Sequence, residues 1–171
     1  SDLRQALANS EFEIWYQPQF LLSDGKLSGV EALLRWRHPT HGLLVPQIFM
    51  DVLDESVIAE EVGTWIIDQA CSAAADWSRA GLTNLRVGVN LFPVQLRSGQ
   101  LFGTFSSAIA RHSISASQLE IEITENTVLR NNNPCVKELK KLRALGVGIA
   151  FDDFGTGFAS LSLLQEYPLT R

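Results

Sequence analysis

The start of the chain consists of two apolar segments separated by a short polar turn. Residues 12–22, FEIWYQPQFLL, are rich in aromatic and β-favouring residues, and the apolar pattern resumes at residues 27–36, LSGVEALLRW, after the turn SDGK. An Asp-Gly pair between two such segments is typical of a β-hairpin. Residues 38–46, HPTHGLLVP, have the proline and glycine content of a loop. We therefore expect a hairpin followed by a loop.

A long amphipathic helix is predicted next, over residues 58–80. Its apolar positions recur at intervals of three and four, and Gly81 follows as a stop. These positions are Ile58, Val62, Trp65, Ile66, Ala73 and Trp77. One face of this helix should therefore pack on the core.

The rest of the chain alternates between strand and helix patterns. Residues 84–92 form a short apolar strand segment before Pro93, and residues 119–125 alternate Ile with Glu as a strand does. The remaining elements are a helix over 101–112, a helix that starts at Asn133 and Pro134 and ends at Gly146, and an apolar strand over 147–153. This alternation predicts an α/β fold with a mostly parallel sheet.

The fold that fits this order is a (β/α)₈ barrel that the chain does not complete. Such barrels typically need about 250 residues and eight strands, whereas this chain has 171 residues and a pattern for about five strands. No internal repeat or low-complexity linker divides it, so we expect one domain over residues 1–171.

Composition narrows the possible partners. The net charge is −5 with no basic run, which argues against DNA binding through the phosphate backbone. No segment has the length and apolarity of a membrane span, and no signal peptide is visible, so we expect a cytoplasmic location. Cys71 and Cys135 have no CxxC spacing, so we interpret them as reduced core thiols.

Oxygen-bearing side chains recur on successive predicted strands. Glu31, Asn90, Glu122 and the pair Asp152 and Asp153 lie on four different strand segments. In α/β barrels the chemistry lies at the carboxyl ends of the strands. Carboxylate and amide oxygens suit Mg²⁺ or Mn²⁺, and two such ions support transfer of a phosphoryl group to water. The pattern therefore predicts a two-metal site for phosphoryl transfer to water.

Two further features would serve an anionic substrate. Arg35 lies four residues after Glu31 and so projects to the same side of a regular strand. Its planar fork suits a phosphate or a guanine edge, and an ordinary salt bridge explains it equally well. Gly155 and Gly157 follow the aspartate pair and permit a close backbone approach.

Taken in order, these motifs resemble the EAL domain family of cyclic di-GMP phosphodiesterases. The resemblance rests on YQPQ (16–19), EALLR (31–35), Pro46, NLFPVQ (90–95), EITE (122–125) and DDFGTGFASL (152–161), and it covers essentially the whole chain. It implies a modified (β/α)₈ TIM-like barrel whose first strand is antiparallel to the others. It also implies hydrolysis of cyclic di-GMP to linear pGpG with two Mg²⁺ or Mn²⁺ ions, and inhibition by Ca²⁺.

The resemblance also assigns roles to single residues. Those similar to the family's metal ligands and catalytic carboxylates are Glu31, Asn90, Glu122 and Asp152, with Asp153 joining the second metal. Those that resemble substrate contacts are Gln17, Leu33, Arg35 and again Asp152. Glu125 is similar to the glutamate that steadies the DDFGTG loop.

The sequence departs from the family pattern at three positions and at its end. Phe92 replaces a small serine, and Phe158 and Ala159 replace the commoner tyrosine and serine. The chain stops at Arg171, before the strand on which the family carries a catalytic lysine. We therefore expect the N-terminal two-thirds of an EAL domain. The parent domain should be an active phosphodiesterase, and the isolated chain inactive or nearly so.

The resemblance further implies a homodimer and an additional sensory or GGDEF-like domain in the parent protein, which could itself be membrane-anchored. The main alternative is a cyclic di-GMP receptor that binds without hydrolysis and signals through a partner. A metal-dependent aldolase-like or enolase-like barrel and a purely structural barrel are further alternatives, although no Lys or His base is visible on the strands.

Overall fold

The structure, a computed structural model, describes residues 3–124, 134–152 and 167–170. The strands are β1 (Phe12–Phe20), β2 (Leu27–His38), β3 (Gly42–Leu44), β4 (Arg86–Asn90), β5 (Leu119–Thr124) and β6 (Gly148–Asp152). The helices are α1 (Leu3–Ala6), α2 (Pro46–Asp54), α3 (Ala59–Arg79), α4 (Pro93–Arg97), α5 (Leu101–His112) and α6 (Pro134–Leu145), and a 3₁₀ turn spans Ala116–Gln118.

The strands form one sheet in the order β1-β2-β4-β5-β6, and β3 pairs with β2. β1 is antiparallel to β2, whereas β2, β4, β5 and β6 are parallel to their neighbours. The predicted hairpin and antiparallel first strand are thus confirmed. Because β1 is reversed, its first residues lie at the same end of the sheet as the carboxyl ends of the parallel strands.

One face of the sheet is apolar and is covered by helices. Val30, Val89 and Ile121 on this face are at most 6% exposed, and α3 packs against β2, β4 and β5. From α3 the buried side chains include Val62, Ile66, Ala70 and Ala74, at the predicted spacing of three and four. Since each fully buried large aliphatic side chain contributes about 1.5–3 kcal/mol, this face holds the described fold together.

The predicted loop over residues 38–46 was wrong in part. It contains β3, whose Leu43 and Leu44 pair with Arg37 and Trp36, and it ends where α2 begins at Pro46. Proline fits the first turn of a helix because its missing N–H would have no partner there. α2 and the short helices α1 and α4 were not predicted, since each is too short to show clear periodicity.

The prediction of buried thiols is confirmed for both cysteines, which are free and buried. Burial, with a smaller contribution from Asp68, raises the pKa of the Cys71 thiol to about 12. In the described residues, no helix combines the length and hydropathy needed to cross a membrane. The predicted start of α6 at Asn133 lies outside the described residues.

Candidate active site

The second face of the sheet, here called the inner face, is polar. Side chains alternate between the two faces of a strand, so the register that buries Val30, Val89 and Ile121 places Glu31, Asn90 and Glu122 on the inner face. Gln17 joins them, because it lies directly opposite Glu31 in the β1–β2 pairing. Four strands thus direct the predicted polar residues to the same side.

Glu31 and Asn90 are in direct contact. Nδ2 of Asn90 donates a hydrogen bond of 2.8 Å to Oε1 of Glu31, across two adjacent parallel strands. This bond leaves the carbonyl oxygen of the Asn90 amide available as a ligand, because an amide donates through nitrogen and accepts through oxygen. The contact joins two of the predicted metal ligands.

Glu122 lies beside Asn90 and is almost fully buried. The two residues are paired in the β4–β5 register, and Glu122 is 5% exposed. Oε1 of Glu122 accepts a hydrogen bond of 3.1 Å from Nε2 of Gln19. The backbone of β4 also makes room for it, since a Cβ atom at Gly88 would lie only 2.4 Å from this oxygen.

Leu33 and Arg35 continue the inner face of β2 towards the carboxyl end. The guanidinium carbon of Arg35 lies 5.4 Å from the centre of the Trp15 ring, within the range of a cation–π contact. The Trp15 indole N–H donates to Oε1 of Glu13 at 2.9 Å, and Arg37 donates to both oxygens of Glu13. Hydrogen bonds from Trp15 and then Arg37 lower the pKa of the Glu13 carboxyl.

A pocket of about 450 Å³ opens at the carboxyl ends of β2, β4 and β5. Its wall includes Leu33, Asn90 and Glu122 from the strands and Asp51 and Asp54 from α2. This volume falls within the usual range for small-molecule sites. The pocket lies where the barrel resemblance predicts the chemistry.

The donor set of Glu31, Asn90 and Glu122 fits a divalent cation. Two carboxylates and one amide, without His or Cys, are hard oxygen ligands that suit Mg²⁺ or Mn²⁺. The Glu122 carboxylate lies directly over Gly88, where a Cβ atom would come within 3.0 Å of its carboxyl carbon. Within residues 3–124, 134–152 and 167–170, no three His, Cys, Asp or Glu side chains form a metal-binding group.

Comparisons with known proteins agree on one family. The EAL domain family matches residues 1–171. The chain belongs to the EAL domain family. It is 40% identical over 170 residues to the bifunctional diguanylate cyclase/cyclic di-GMP phosphodiesterase MucR of Pseudomonas aeruginosa, covering 99% of this chain and 25% of MucR. It is 38% identical over 168 residues to the cyclic di-GMP phosphodiesterase NbdA of the same species, covering 98% of this chain and 22% of NbdA.

A solved structure shows the same fold. The PaMucR phosphodiesterase in complex with c-di-GMP superposes with a TM-score of 0.91 at 39% identity, covering 98% of this chain and 68% of that chain. EAL domains are TIM-like barrels, so the predicted barrel class is confirmed and this chain covers only part of one. The aldolase-like and enolase-like alternatives are therefore set aside.

Some predicted site residues of this EAL domain lie outside the part of the chain that the structure describes. Asp153 and Glu125 are outside the described residues, as is the DDFGTG loop after Asp152. Asp152 ends β6, and its backbone pairs with Thr124. Of the nine predicted site residues, the structure thus brings Glu31 and Asn90 into contact and places Gln17, Leu33, Arg35 and Glu122 on the same face.

Sequence reasoning missed three contacts on the inner face of the EAL domain. Gln19, Gly88 and Trp15 each touch a predicted site residue or leave room for one. The strand period of two could have identified all three residues. Trp15 and Gln19 each lie two residues from Gln17, and Gly88 lies two residues before Asn90, so they share the face of these predicted site residues.

The departure at Phe92 is a packing change in the structure. Phe92 is 4% exposed and borders the pocket, and its backbone N–H donates to Oε1 of Gln95 at 3.0 Å. The Gln95 side chain in turn fills the space beside Gly63 on α3. The phenyl ring therefore adds an apolar wall and removes none of the oxygen ligands. Phe158 and Ala159 lie outside the described residues.

Proposed function

We propose that this chain is the larger part of an EAL domain that hydrolyses cyclic di-GMP to linear pGpG. The observation that carries the proposal is the direct contact of Asn90 with Glu31, beside the buried Glu122, at the carboxyl ends of the parallel strands. The names of MucR and NbdA support the reaction. The chain spans about a quarter of MucR and a fifth of NbdA, so the activity of the whole protein is part of this proposal.

In this proposal, Glu31, Asn90, Glu122, Asp152 and Asp153 hold two Mg²⁺ or Mn²⁺ ions. When bound, such ions acidify an attacking water and neutralise charge on the phosphate. The protein contributes fixed oxygen ligands, since the Asn90 bond orients the Glu31 carboxylate and the protein buries Glu122 away from competing water. Ca²⁺ should inhibit, because its larger and looser coordination shell positions the phosphate less closely.

The substrate contacts come from the same inner face. Gln17 and Leu33 lie beside the metal ligands, and Arg35 presents a planar fork to a phosphate or to the edge of a guanine. Glu125 would steady the loop that follows the aspartate pair. We also propose that the domain acts as a homodimer in the cytoplasm, joined to a sensory or GGDEF-like domain. The small shares that this chain covers of MucR and NbdA leave room for such a domain.

The experiment is a hydrolysis assay on the full-length protein with cyclic di-GMP and Mg²⁺ or Mn²⁺, with pGpG separated by chromatography. Glu31→Gln keeps the shape but removes the charge, and should lower the rate by at least about 100-fold, beyond the effect usual for residues around a metal ligand. Glu60→Gln, an exposed carboxylate on α3, is the matched control and should be unaffected.

Two results would contradict the proposal. Tight binding of cyclic di-GMP by the wild-type protein without any pGpG would establish the receptor alternative. No binding of cyclic di-GMP at all would show that the inner face serves another ligand. Isothermal titration with Ca²⁺ present, which blocks turnover in the proposal, measures binding separately from hydrolysis.

A further inference from the structure

Gln19 reaches across the sheet to Glu122. The two side chains lie on β1 and β5, which are separated in the sheet by β2 and β4. Neighbouring strands are about 4.8 Å apart, so a flat sheet would place these backbones roughly 14 Å from each other. The 3.1 Å bond between Nε2 and Oε1 therefore depends on the curvature of the sheet, which brings β1 over the inner face.

The path of the Gln19 side chain is open. Gln19 lies opposite Gly29 in the β1–β2 register, so no side chain from the neighbouring strand stands beside it on the inner face. Gly29 itself is held close to the next strand, since a Cβ atom there would lie 2.8 Å from the carbonyl oxygen of Arg86. The amide of Gln19 can thus cross the sheet without displacing another group.

The same oxygen of Glu122 is confined from a second direction. Oε1 accepts the bond from Gln19, and it lies where a Cβ atom of Gly88 would be, at 2.4 Å. An amide donor on one side and bare backbone on the other restrict the rotation of the carboxylate. Since the donor is neutral, it orients the carboxylate without cancelling the negative charge that a cation needs.

We propose that Gln19 is a positioning residue that orients the Glu122 carboxylate for a divalent cation. The inference rests on the proposed function, in which Glu122 is a metal ligand. Groups that hydrogen-bond to a ligand fix its orientation, and their loss typically weakens metal affinity about 10- to 100-fold. Gln19 is distinct from Gln17, two residues earlier, which is proposed to contact the substrate.

The test is a Mn²⁺ titration of the full-length protein, without substrate, followed by calorimetry and by the electron paramagnetic resonance signal of free Mn²⁺. Gln19→Leu keeps the approximate volume and removes the donor, and should weaken Mn²⁺ binding about 10- to 100-fold. The KM for cyclic di-GMP at saturating Mn²⁺ should stay near the wild-type value. Gln5→Leu, at an exposed position of α1, is the matched control.

A second variant tests the other side of the same oxygen. Gly88→Ala should push the carboxylate away and weaken Mn²⁺ binding without removing any hydrogen-bonding group. Because both changes act on one carboxylate, the double variant should lose less than the product of the two single effects. Thermal unfolding of each variant in chelator identifies any that fails to fold, and Gln19→Leu alone then carries the test.

The outcomes separate this inference from the proposed function. Wild-type affinity in Gln19→Leu together with weak binding in Glu122→Gln would overturn the positioning role and leave the metal site intact. Wild-type affinity in both variants would show that Glu122 holds no metal, and the positioning role would then fail while the pGpG assay still decides the proposed function. Weak binding in both, with the Gln5→Leu control unchanged, is the expected result.

Discussion

Two strand glycines make room for the carboxylates of the inner face. A Cβ atom at Gly88 would lie 2.4 Å from Oε1 of Glu122, and one at Gly148 would lie 3.2 Å from Oε2 of Glu120. Glu120 is 1% exposed and accepts a 3.0 Å bond from Arg86. Glycine usually weakens a strand, but at these two positions its lack of a side chain leaves the space that the neighbouring carboxylates occupy.

The contact of Trp15 with Arg35 gives a prediction for substrate affinity. A cation–π contact at a half-exposed site is worth about 0.5–1 kcal/mol, and Trp15 is 49% exposed. Trp15→Leu should therefore raise the KM for cyclic di-GMP about 2- to 5-fold, with kcat unchanged. Trp15→Phe, which retains an aromatic face, should recover part of the loss in steady-state kinetics. A fall in kcat alone would contradict the assignment.

Tyr16 gives a prediction for alkaline pH. Burial, and then Asp76, raises the pKa of its hydroxyl from 10.0 to about 12, and the hydroxyl donates to the carbonyl of Gln69. The native state thus favours the neutral form. The stability from this group is full below pH 10 and is lost as the pH rises towards 12, by up to about 2 kcal/mol after allowance for solvent screening.

Tyr16→Phe isolates this effect. At pH 7 the variant should lose about 1 kcal/mol of unfolding free energy with the hydrogen bond. Between pH 10 and 12 its stability should fall less steeply than that of the wild-type protein, so the difference between the two should shrink. Urea unfolding across this pH range measures both slopes. Parallel slopes would show that Tyr16 titrates in the native protein as it does in the unfolded chain.

At the scale of elements, sequence patterns predicted the long units and failed for the short ones. The periodicity of α3 identified a helix whose Val62 and Ile66 are buried, because 21 residues show several turns of the pattern. Pro46 was interpreted as a loop residue although it starts α2. A single proline fits both a loop and a first helical turn, and only the packing of Phe49 and Leu53 on the core decides between them.

The packing of α3 against α4 gives a prediction for two glycines. A Cβ atom at Gly63 would lie 2.3 Å from the Gln95 side chain, whereas none is within 4 Å at Gly103 on α5. Gly63→Ala should lower the free energy of unfolding by about 1–3 kcal/mol through overpacking. Gly103→Ala, the matched control, should raise it by up to about 1 kcal/mol through helix propensity. Chemical denaturation of both variants checks the opposite signs.

At the scale of the whole molecule, the edge of β6 is hydrogen-bonded by a residue near the end of the described chain. Thr170 lies along the edge of β6: its backbone N–H donates to the carbonyl of Ile149 at 2.7 Å. The Thr170 hydroxyl both accepts from the Ile149 N–H and donates to the Ile149 carbonyl, at 2.8 Å each. Residues far apart in sequence thus occupy an edge that would otherwise be open to other strands.

Thr170→Val tests this edge contact. The change keeps the shape and removes both hydroxyl bonds, and should lower the free energy of unfolding by about 1–3 kcal/mol, since the Ile149 N–H loses its acceptor. Thr170→Ser keeps the hydroxyl and should cost much less. Hydrogen exchange at the Ile149 amide should speed up in the valine variant alone. Equal protection in all three proteins would show that the edge is held by other contacts.

The overall architecture was more predictable from sequence than the geometry of the site. Strand and helix alternation indicates the parallel sheet, and ordered motifs indicate the family, because both depend on local sequence. The bond from Gln19 to Glu122 depends on sheet curvature over 103 residues of separation, which no local pattern encodes. The contact between Thr170 and Ile149 is likewise encoded by no local pattern, because it follows from the topology of the chain.

The reversed first strand has a consequence for the surroundings of α1. In a barrel of uniform polarity, the chain would enter at the end opposite the chemistry, but here α1 lies at the same end as the pocket. Leu3 of α1 and Asp51 of α2 border one groove, and Asp51 also borders the pocket. Of the described elements, α2 alone borders both the groove and the pocket, so the helix at the start of the described chain and the reacting end share one neighbour.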